Sequence, residues 1–262
     1  MNQQALEQAA KTLWSAWQAG ARLASLPESC RPASRSDGYR IQAAVARLSG
    51  QETFGWKIAA TSSAGQKHIG VDGPLAGRLL RNRVFDSGAR VSLRNNIMKV
   101  AEAEFAFRMK RDLPPRSRPY STAEVLAAVD TLHPAIEIPD SRYEDFVTVG
   151  APQLIADHAC ASYFVLGPAT VAEWRQIDIA GHRITAQIDG KPACEGMGSN
   201  ALGDPRVALT WIANELSLMG DMLRAGETVT TGTCIVPAAI SAGDHVVADF
   251  GVIGRVEATM VA

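Results

Sequence analysis

Apolar residues recur at helical spacing near the start of the chain. Leu6, Ala9, Ala10, Leu13, Trp14 and Trp17 share one face of a segment that predicts a helix over residues 3–24. A second helix is expected from about Ser36, whose side chain can cap it, through Tyr39, Ile41, Val45 and Leu48 to Gly50. Beyond Gly50 the texture changes to short apolar runs cut by Gly, Pro, Asn and Asp, which reads as strands and turns. Strands are predicted at Phe54–Ala59, Ala89–Leu93, Val100–Met109, Ala135–Ile138, Ser162–Leu166, Ile184–Ile188, Thr228–Thr231, His245–Phe250 and Gly254–Met260. Asp189 and Gly190, closing an alternating run, form a hairpin signal. Two helices interrupt the strands: Thr122–Leu132, capped by Ser121 or Thr122, and Pro205–Leu223, ended near Gly226. The pattern divides the chain into a helical lobe over residues 1–52 and a β-rich domain over residues 53–262 with helices on its flanks.

Composition narrows the function classes. Of the 262 residues, 47% are hydrophobic and 20% charged, enough apolar material for a core, and the formal net charge is −1. Basic residues are dispersed, so neither nucleic acid nor an anionic membrane is an expected partner. The densest basic stretch, Arg108 to Arg111, runs into Asp112 and prolines and reads as a solvated strand end. No apolar run approaches the roughly 20 residues a membrane helix needs. The first residues, MNQQALEQAAKTLW, lack the basic and apolar regions of a signal peptide. Cys30, Cys160, Cys194 and Cys234 form no CxxC pair, so free thiols in a reducing cytoplasm are expected.

Chemistry concentrates in three segments. VAEAEFAF at 100–107 alternates with period two, so Glu102 and Glu104 project from one face of a strand, about 7 Å apart. Such a pair is either an exposed face, as Arg108 and Lys110 of the same parity suggest, or a pair bridged by a cation. Glu137, flanked by Ile136 and Ile138 and stopped by Pro139, lies in a strand apolar enough to be buried, where a carboxylate needs a partner or a metal. If the three converge, they make an all-oxygen site suited to Mg²⁺ or Mn²⁺. Lys57, in GWKIAAT at 55–61, is either a snorkelling strand-edge lysine or a cation aimed into a cleft, able to pair with a substrate carboxylate. The five histidines show no metal-ligand spacing, and GMGSNALG at 196–203 lacks the spacing of a nucleotide loop and reads as a turn.

Taken in order, GWKIAATS (55–62), GVDGPLAGRLL (70–80), AEAEFAF (101–107), HPAIEIPDSRY (133–143), ADHACASYFVLG (156–167) and GSNALGDPRVALTWIANEL (198–216) resemble the 2-keto-4-pentenoate hydratase and 4-oxalocrotonate decarboxylase family of the fumarylacetoacetate hydrolase superfamily. RAGETVTTGT and SAGDHVVADFGVIG continue the likeness, which runs from about Tyr39 to the C-terminus. The resemblance implies an α+β fold: a mixed β-roll or barrel-like core of the fumarylacetoacetase C-terminal type with a small N-terminal helical lobe. It implies a homo-oligomer, with or without a paralogous decarboxylase or hydratase subunit. It assigns Glu102, Glu104 and Glu137 to an Mg²⁺ or Mn²⁺ ion, Lys57 to catalysis, and Lys57, Ser141, Cys160 and Thr233 to binding a 2-oxo acid. In such enzymes the cation chelates the substrate's C1 carboxylate and C2 oxygen and favours an enolate, through which both hydration and decarboxylation pass.

The expected reaction is hydration of a 2-hydroxypenta-2,4-dienoate-like substrate to a 4-hydroxy-2-oxo acid. The alternatives are 4-oxalocrotonate-type decarboxylation or a non-catalytic partner subunit, and an acylpyruvate hydrolase lacks its His/Glu dyad. Two departures stand out. PLAG at 74–77 replaces the family's PDFG, so Leu75 stands where an acid for proton transfer is common. DHAC at 157–160 replaces DNAS, making His158 and Cys160 candidates for moving the proton.

Overall fold

The structure, a computed structural model, describes residues 1–262. Helix α1 (Gln3–Ala19) starts where the Asn2 side chain accepts the Ala5 amide, and stops at Gly20, whose left-handed backbone releases the chain. That glycine ends the helix short of the expected residue 24. Helix α2 (Arg35–Ser49) is capped by Ser34, two residues before the expected Ser36, because the Ser34 hydroxyl accepts the Asp37 amide. Leu6, Leu13, Ile41 and Val45 of the two helices pack with Leu26, Tyr143 and Ala156 in one cluster.

The remaining elements follow in order: β1 (Thr53–Ala59), α3 (Ser63–His68), β2 (Leu75–Leu80), β3 (Val84–Asp86), β4 (Ala89–Ser92), β5 (Val100–Met109), α4 (Thr122–Leu126) and β6 (Val129–Ile138). After them come α5 (Ala151–Ala156), β7 (Tyr163–Leu166), β8 (Arg183–Ile188), β9 (Lys191–Met197), α6 (Pro205–Leu218), β10 (Thr228–Thr233), β11 (Ala238–Ala239), β12 (His245–Asp249) and β13 (Arg255–Val261). The predicted helix over Thr122–Leu132 is half strand: α4 ends at Leu126 and β6 begins at Val129. Val129 and Thr131 are β-branched and pair with Met109 and Arg108, so the sheet claims them. Helix α6 likewise stops at Leu218, short of the expected Leu223. The hairpin at Asp189 and Gly190 is present, both residues having positive φ as a type I′ turn requires. Within the segment 196–203, Gly196 and Met197 end β9 and residues 198–203 turn the chain to the Asp204 cap of α6.

Two sheets carry the β core. One curls through β2-β1-β10-β5-β6-β7-β3, with β11 beside the start of β5, and the other runs β4-β13-β12-β8-β9. Strand alternation sorts the residues of the curled sheet. Trp56, Ile58, Phe105, Phe107, Ile136 and Val165 face the main core, with Leu209, Ile212 and Leu216 of α6 and Val246 and Val256 of the second sheet. The opposite face holds a small apolar cluster of Leu79, Ala106, Ala135, Ala161 and Phe164. On that same face register sets Glu102 directly across from Glu137, Glu104 across from Ala135, and Lys57 across from Gly77. Strand β10 lies between β1, to which it is parallel, and β5, to which it is antiparallel. Its register slips between Thr230 and Thr233, a bulge in which Gly232 takes φ 94°.

Candidate metal centre

The register that pairs β5 with β6 brings the three glutamates together. Oxygen atoms of Glu102, Glu104 and Glu137 all lie within 4.8 Å of one another. That is the span of one hard cation, whose opposite oxygen ligands sit about 4–5 Å apart. Glu104 and Glu137 are fully buried and Glu102 is partly so. The exposed-face alternative therefore fails at Glu104, although Arg108 further along the strand does reach solvent.

Each carboxylate is held differently. Thr230 Oγ1 and the Gly232 amide, the latter at 2.7 Å, both donate to Glu104 Oε2. The bulge in β10 aims that amide, since a regular strand would turn it into the ladder. Glu104 Oε1 is left buried with no donor. Lys57 Nζ lies 3.1 Å from Glu137 Oε1 as an ion pair, off the line of a hydrogen bond, so neither Glu137 oxygen has a hydrogen-bond donor. Three carboxylates against one ammonium carry a net charge of −2 when all are ionised (−3 + 1). Burial, then Glu137, pushes Glu102 up to about 7. Burial, with Glu137 and Glu102, pushes Glu104 well above the usual carboxylate range, and burial raises Glu137 despite Lys57. Orphaned buried oxygens, converging geometry and three carboxylates that burial makes costly to ionise are what a divalent cation relieves, so the residues present fit such an ion.

Lys57 is buried and donates to the Ala159 carbonyl at 3.0 Å. Burial alone would lower its basicity, but Glu137, Glu102 and Glu104 together overcome that and hold it above the ordinary lysine value. It is a buried cation here, not a strand-edge lysine. Of the other expected residues, Ser141 and Thr233 have their hydroxyls engaged. Ser141 donates to Asp157 Oδ2 at 2.8 Å and accepts the Tyr143 amide. Thr233, across from Glu104 in register, donates to the Ile235 carbonyl. Burial and the Asp157 charge push the buried Cys160 thiol up to about 12. His158 is fully buried, and its Nδ1 lies 3.0 Å from the Arg78 carbonyl; an acceptor there makes Nδ1 the protonated nitrogen. Burial holds its imidazole down to about 3, so it is neutral near pH 7. Near pH 7 Cys160 and His158 are both held in their uncharged forms. Leu75 is fully buried on β2 across from Ala59, on the Lys57 side of the sheet, and puts hydrocarbon there.

Sequence reasoning missed Thr230 and the Gly232 amide, and also the buried Asp157–Arg142 ion pair that flanks residues 158–160. A TVTTG strand offers a hydroxyl beside a glycine bulge, the signal that could have found the first pair.

Residues 79–261 match the family model described as fumarylacetoacetate (FAA) hydrolase C-terminal. A 2-keto-4-pentenoate hydratase of Burkholderia vietnamiensis is 32% identical over 253 residues, covering 95% of each chain. A 2-hydroxyhexa-2,4-dienoate hydratase of Comamonas testosteroni is 33% identical over 251 residues, covering 93% of each. Among solved structures, a 4-oxalocrotonate decarboxylase from Pseudomonas putida G7, complexed with magnesium and adipate, superposes with a TM-score of 0.90. It is 24% identical, and 100% of this chain and 99% of that one are covered. That likeness speaks for the fold.

Proposed function

The chain belongs to the fumarylacetoacetate hydrolase family, and from that premise we propose that it is a divalent-metal-dependent hydratase. Its substrate is a 2-hydroxypenta-2,4-dienoate-like acid, converted to the 4-hydroxy-2-oxo acid. The observation that carries the reading is the convergence of Glu102, Glu104 and Glu137 beside the buried Lys57 ammonium, in a chain whose full-length relatives are named as hydratases of this class. The decarboxylase likeness is one of fold, so the lyase reading follows the more similar hydratases.

In this reading Glu102, Glu104 and Glu137 hold Mg²⁺ or Mn²⁺. The ion, when bound, supplies the positive charge that favours an enolate at C2 of a 2-oxo acid. The chain's own residues do the rest. Thr230 and the Gly232 amide hold one oxygen of Glu104, which turns the other toward the ion. Lys57 has three N–H donors; one is taken by the Ala159 carbonyl and the charge leans on Glu137, which leaves a donor for the substrate's carboxylate. Leu79, Ala106, Ala135 and Phe164 line the same face beyond the carboxylates, and that apolar ground keeps bulk water away and strengthens these charges. The C2 hydroxyl gives up its proton as C5 gains one and the dienol ketonises. One water then supplies hydroxide to C4 of the conjugated enone and a proton to C3. We assign these transfers to none of Leu75, His158 or Cys160. No helix is long and apolar enough to cross a membrane. Assembly into a homo-oligomer is part of the proposal.

Purified protein with Mg²⁺ should bleach the ultraviolet absorbance of 2-hydroxypenta-2,4-dienoate, and EDTA should stop it. Unchanged absorbance, with carbon dioxide released from 2-oxo-3-hexenedioate instead, would replace the hydratase with the decarboxylase.

A further inference from the structure

Residues 158–160 form a run that L-amino acids avoid. His158, Ala159 and Cys160 have φ of 54°, 49° and 63°, three consecutive non-glycine residues in the left-handed region, where such residues normally occur singly. A run of this kind persists only where its surroundings over-determine it, and backbone strain of this sort gathers at functional sites. Here the surroundings are specific. Arg142, fully buried, donates to both the side chain and the main-chain carbonyl of Asp157 just before the run, and at 2.9 Å to the Ala161 carbonyl just after it. Asp157 Oδ2 in turn accepts the Arg142 amide at 2.9 Å and the Ser141 hydroxyl at 2.8 Å. The ring of Trp17, on α1, closes the arrangement, with the Arg142 guanidinium 4.0 Å above its centroid and His158 edge-on at 5.3 Å. Beneath the run lies Gly77, where a Cβ would sit 1.9 Å from the His158 carbonyl oxygen.

A buried ion pair is a costly way to hold a loop, since desolvation offsets much of its attraction. What this one delivers to the carboxylate cluster is a single group, the Ala159 carbonyl, 3.0 Å from Lys57 Nζ. Gly77 is also the residue across from Lys57 in the β1–β2 register, so the run is seated on the strand pair at the level of the ammonium. We propose that Asp157, acting through Arg142 and the left-handed run, is a positioning residue for Lys57. It fixes the Ala159 carbonyl so that the ammonium presents its free N–H to the carboxylate of the 2-oxo acid. The inference rests on the function proposed above.

The test is a double-mutant cycle read by calorimetry, with oxalate as the probe and Mg²⁺ saturating, so that turnover is not needed. Asp157→Asn keeps the side chain's shape and removes its charge. It should weaken oxalate binding about tenfold, the scale of one charge-assisted hydrogen bond, and leave Mg²⁺ affinity within about twofold. On a Lys57→Met background the same substitution should change oxalate affinity less than about twofold. Ala159→Gly, which relaxes the run without removing a buried charge, goes through the same cycle with the same expectation and decides the matter if Asp157→Asn does not fold. Equal losses on both backgrounds, or loss of Mg²⁺ affinity in parallel with oxalate, would overturn the positioning role while leaving the hydratase reading intact. Wild-type protein that binds Mg²⁺ and not oxalate would overturn the functional reading and this inference with it.

Discussion

The buried imidazole of His158 should make the fold acid-labile in a way one substitution removes. Its ring is fully buried, Nδ1 donates to the Arg78 carbonyl, and Nε2 has no partner. Burial is the main reason its basicity falls from 6.5 to about 3; the Arg78 carbonyl opposes this and the Arg142 charge adds to it. Between those two pH values the unfolded chain binds a proton that the folded chain refuses. The contribution is therefore fully present above pH 6.5 and is lost as pH falls toward 3. The limiting loss is about 5 kcal/mol, and about 2 kcal/mol of it falls between pH 6.0 and 4.5. Domain stabilities are on the order of 5–15 kcal/mol, so this one ring is a large share. Urea unfolding of wild type and His158→Asn should be compared at pH 7.5, 6.0, 5.0 and 4.5, in EDTA so that metal occupancy does not vary. Asparagine can still donate to the Arg78 carbonyl but cannot titrate. The wild-type curve should fall more steeply than the variant's by about 1.4 kcal/mol per pH unit below pH 6. Parallel curves would refute the reasoning.

Three further outcomes are expected. Thr230→Val should weaken divalent-ion binding by about 10–100-fold by calorimetry with Mn²⁺, because the hydroxyl that orients Glu104 is gone; unchanged affinity would mean that the Gly232 amide suffices. In EDTA the raised carboxylates oppose folding as pH rises above 4.5, Glu102 through about 7, the opposite sign to His158, so Mg²⁺ should lift the melting temperature more at pH 8 than at pH 5.5. Equal shifts at both pH values, or a shift that survives Glu104→Gln, would count against the metal centre. Gly77→Ala should cost about 1–3 kcal/mol in urea unfolding, since its methyl would press on the His158 main-chain oxygen, and a neutral result would show that the run can move.

Much of the site was legible in the sequence because a strand's period is rigid. Alternation alone put Glu102 and Glu104 on one face, and the short apolar strand around Glu137 is of a kind that is usually buried. Their meeting depended on register, which neither segment encodes by itself: β6 had to begin at Val129, inside what reads as a helix, for Glu137 to land across from Glu102. Propensity lost there to pairing with β5. The partners of Lys57 and Glu104 were harder still. Arg142 looks like any arginine in the motif IPDSRY until the run at 158–160 folds over it, and that run contains no glycine to announce a left-handed backbone. The Gly232 amide is a main-chain group, invisible to any search for reactive side chains.

The place of β10 in the curled sheet bears on how the chain comes into being. Residues 228–233 slot between a strand made near residue 55 and one made near residue 105. During synthesis β1 and β5 therefore emerge long before the strand that separates them, and each presents an open edge while the ribosome completes the intervening chain. Pairing β1 directly with β5 in that interval would be a local minimum with the wrong neighbours. The donors to Glu104 arrive only with β10, so a cation captured early by the glutamates would meet an unfinished cage. Refolding from denaturant, where every strand is available at once, should escape that ordering, and its rate would be governed by closure of the long loop that ends at Thr228.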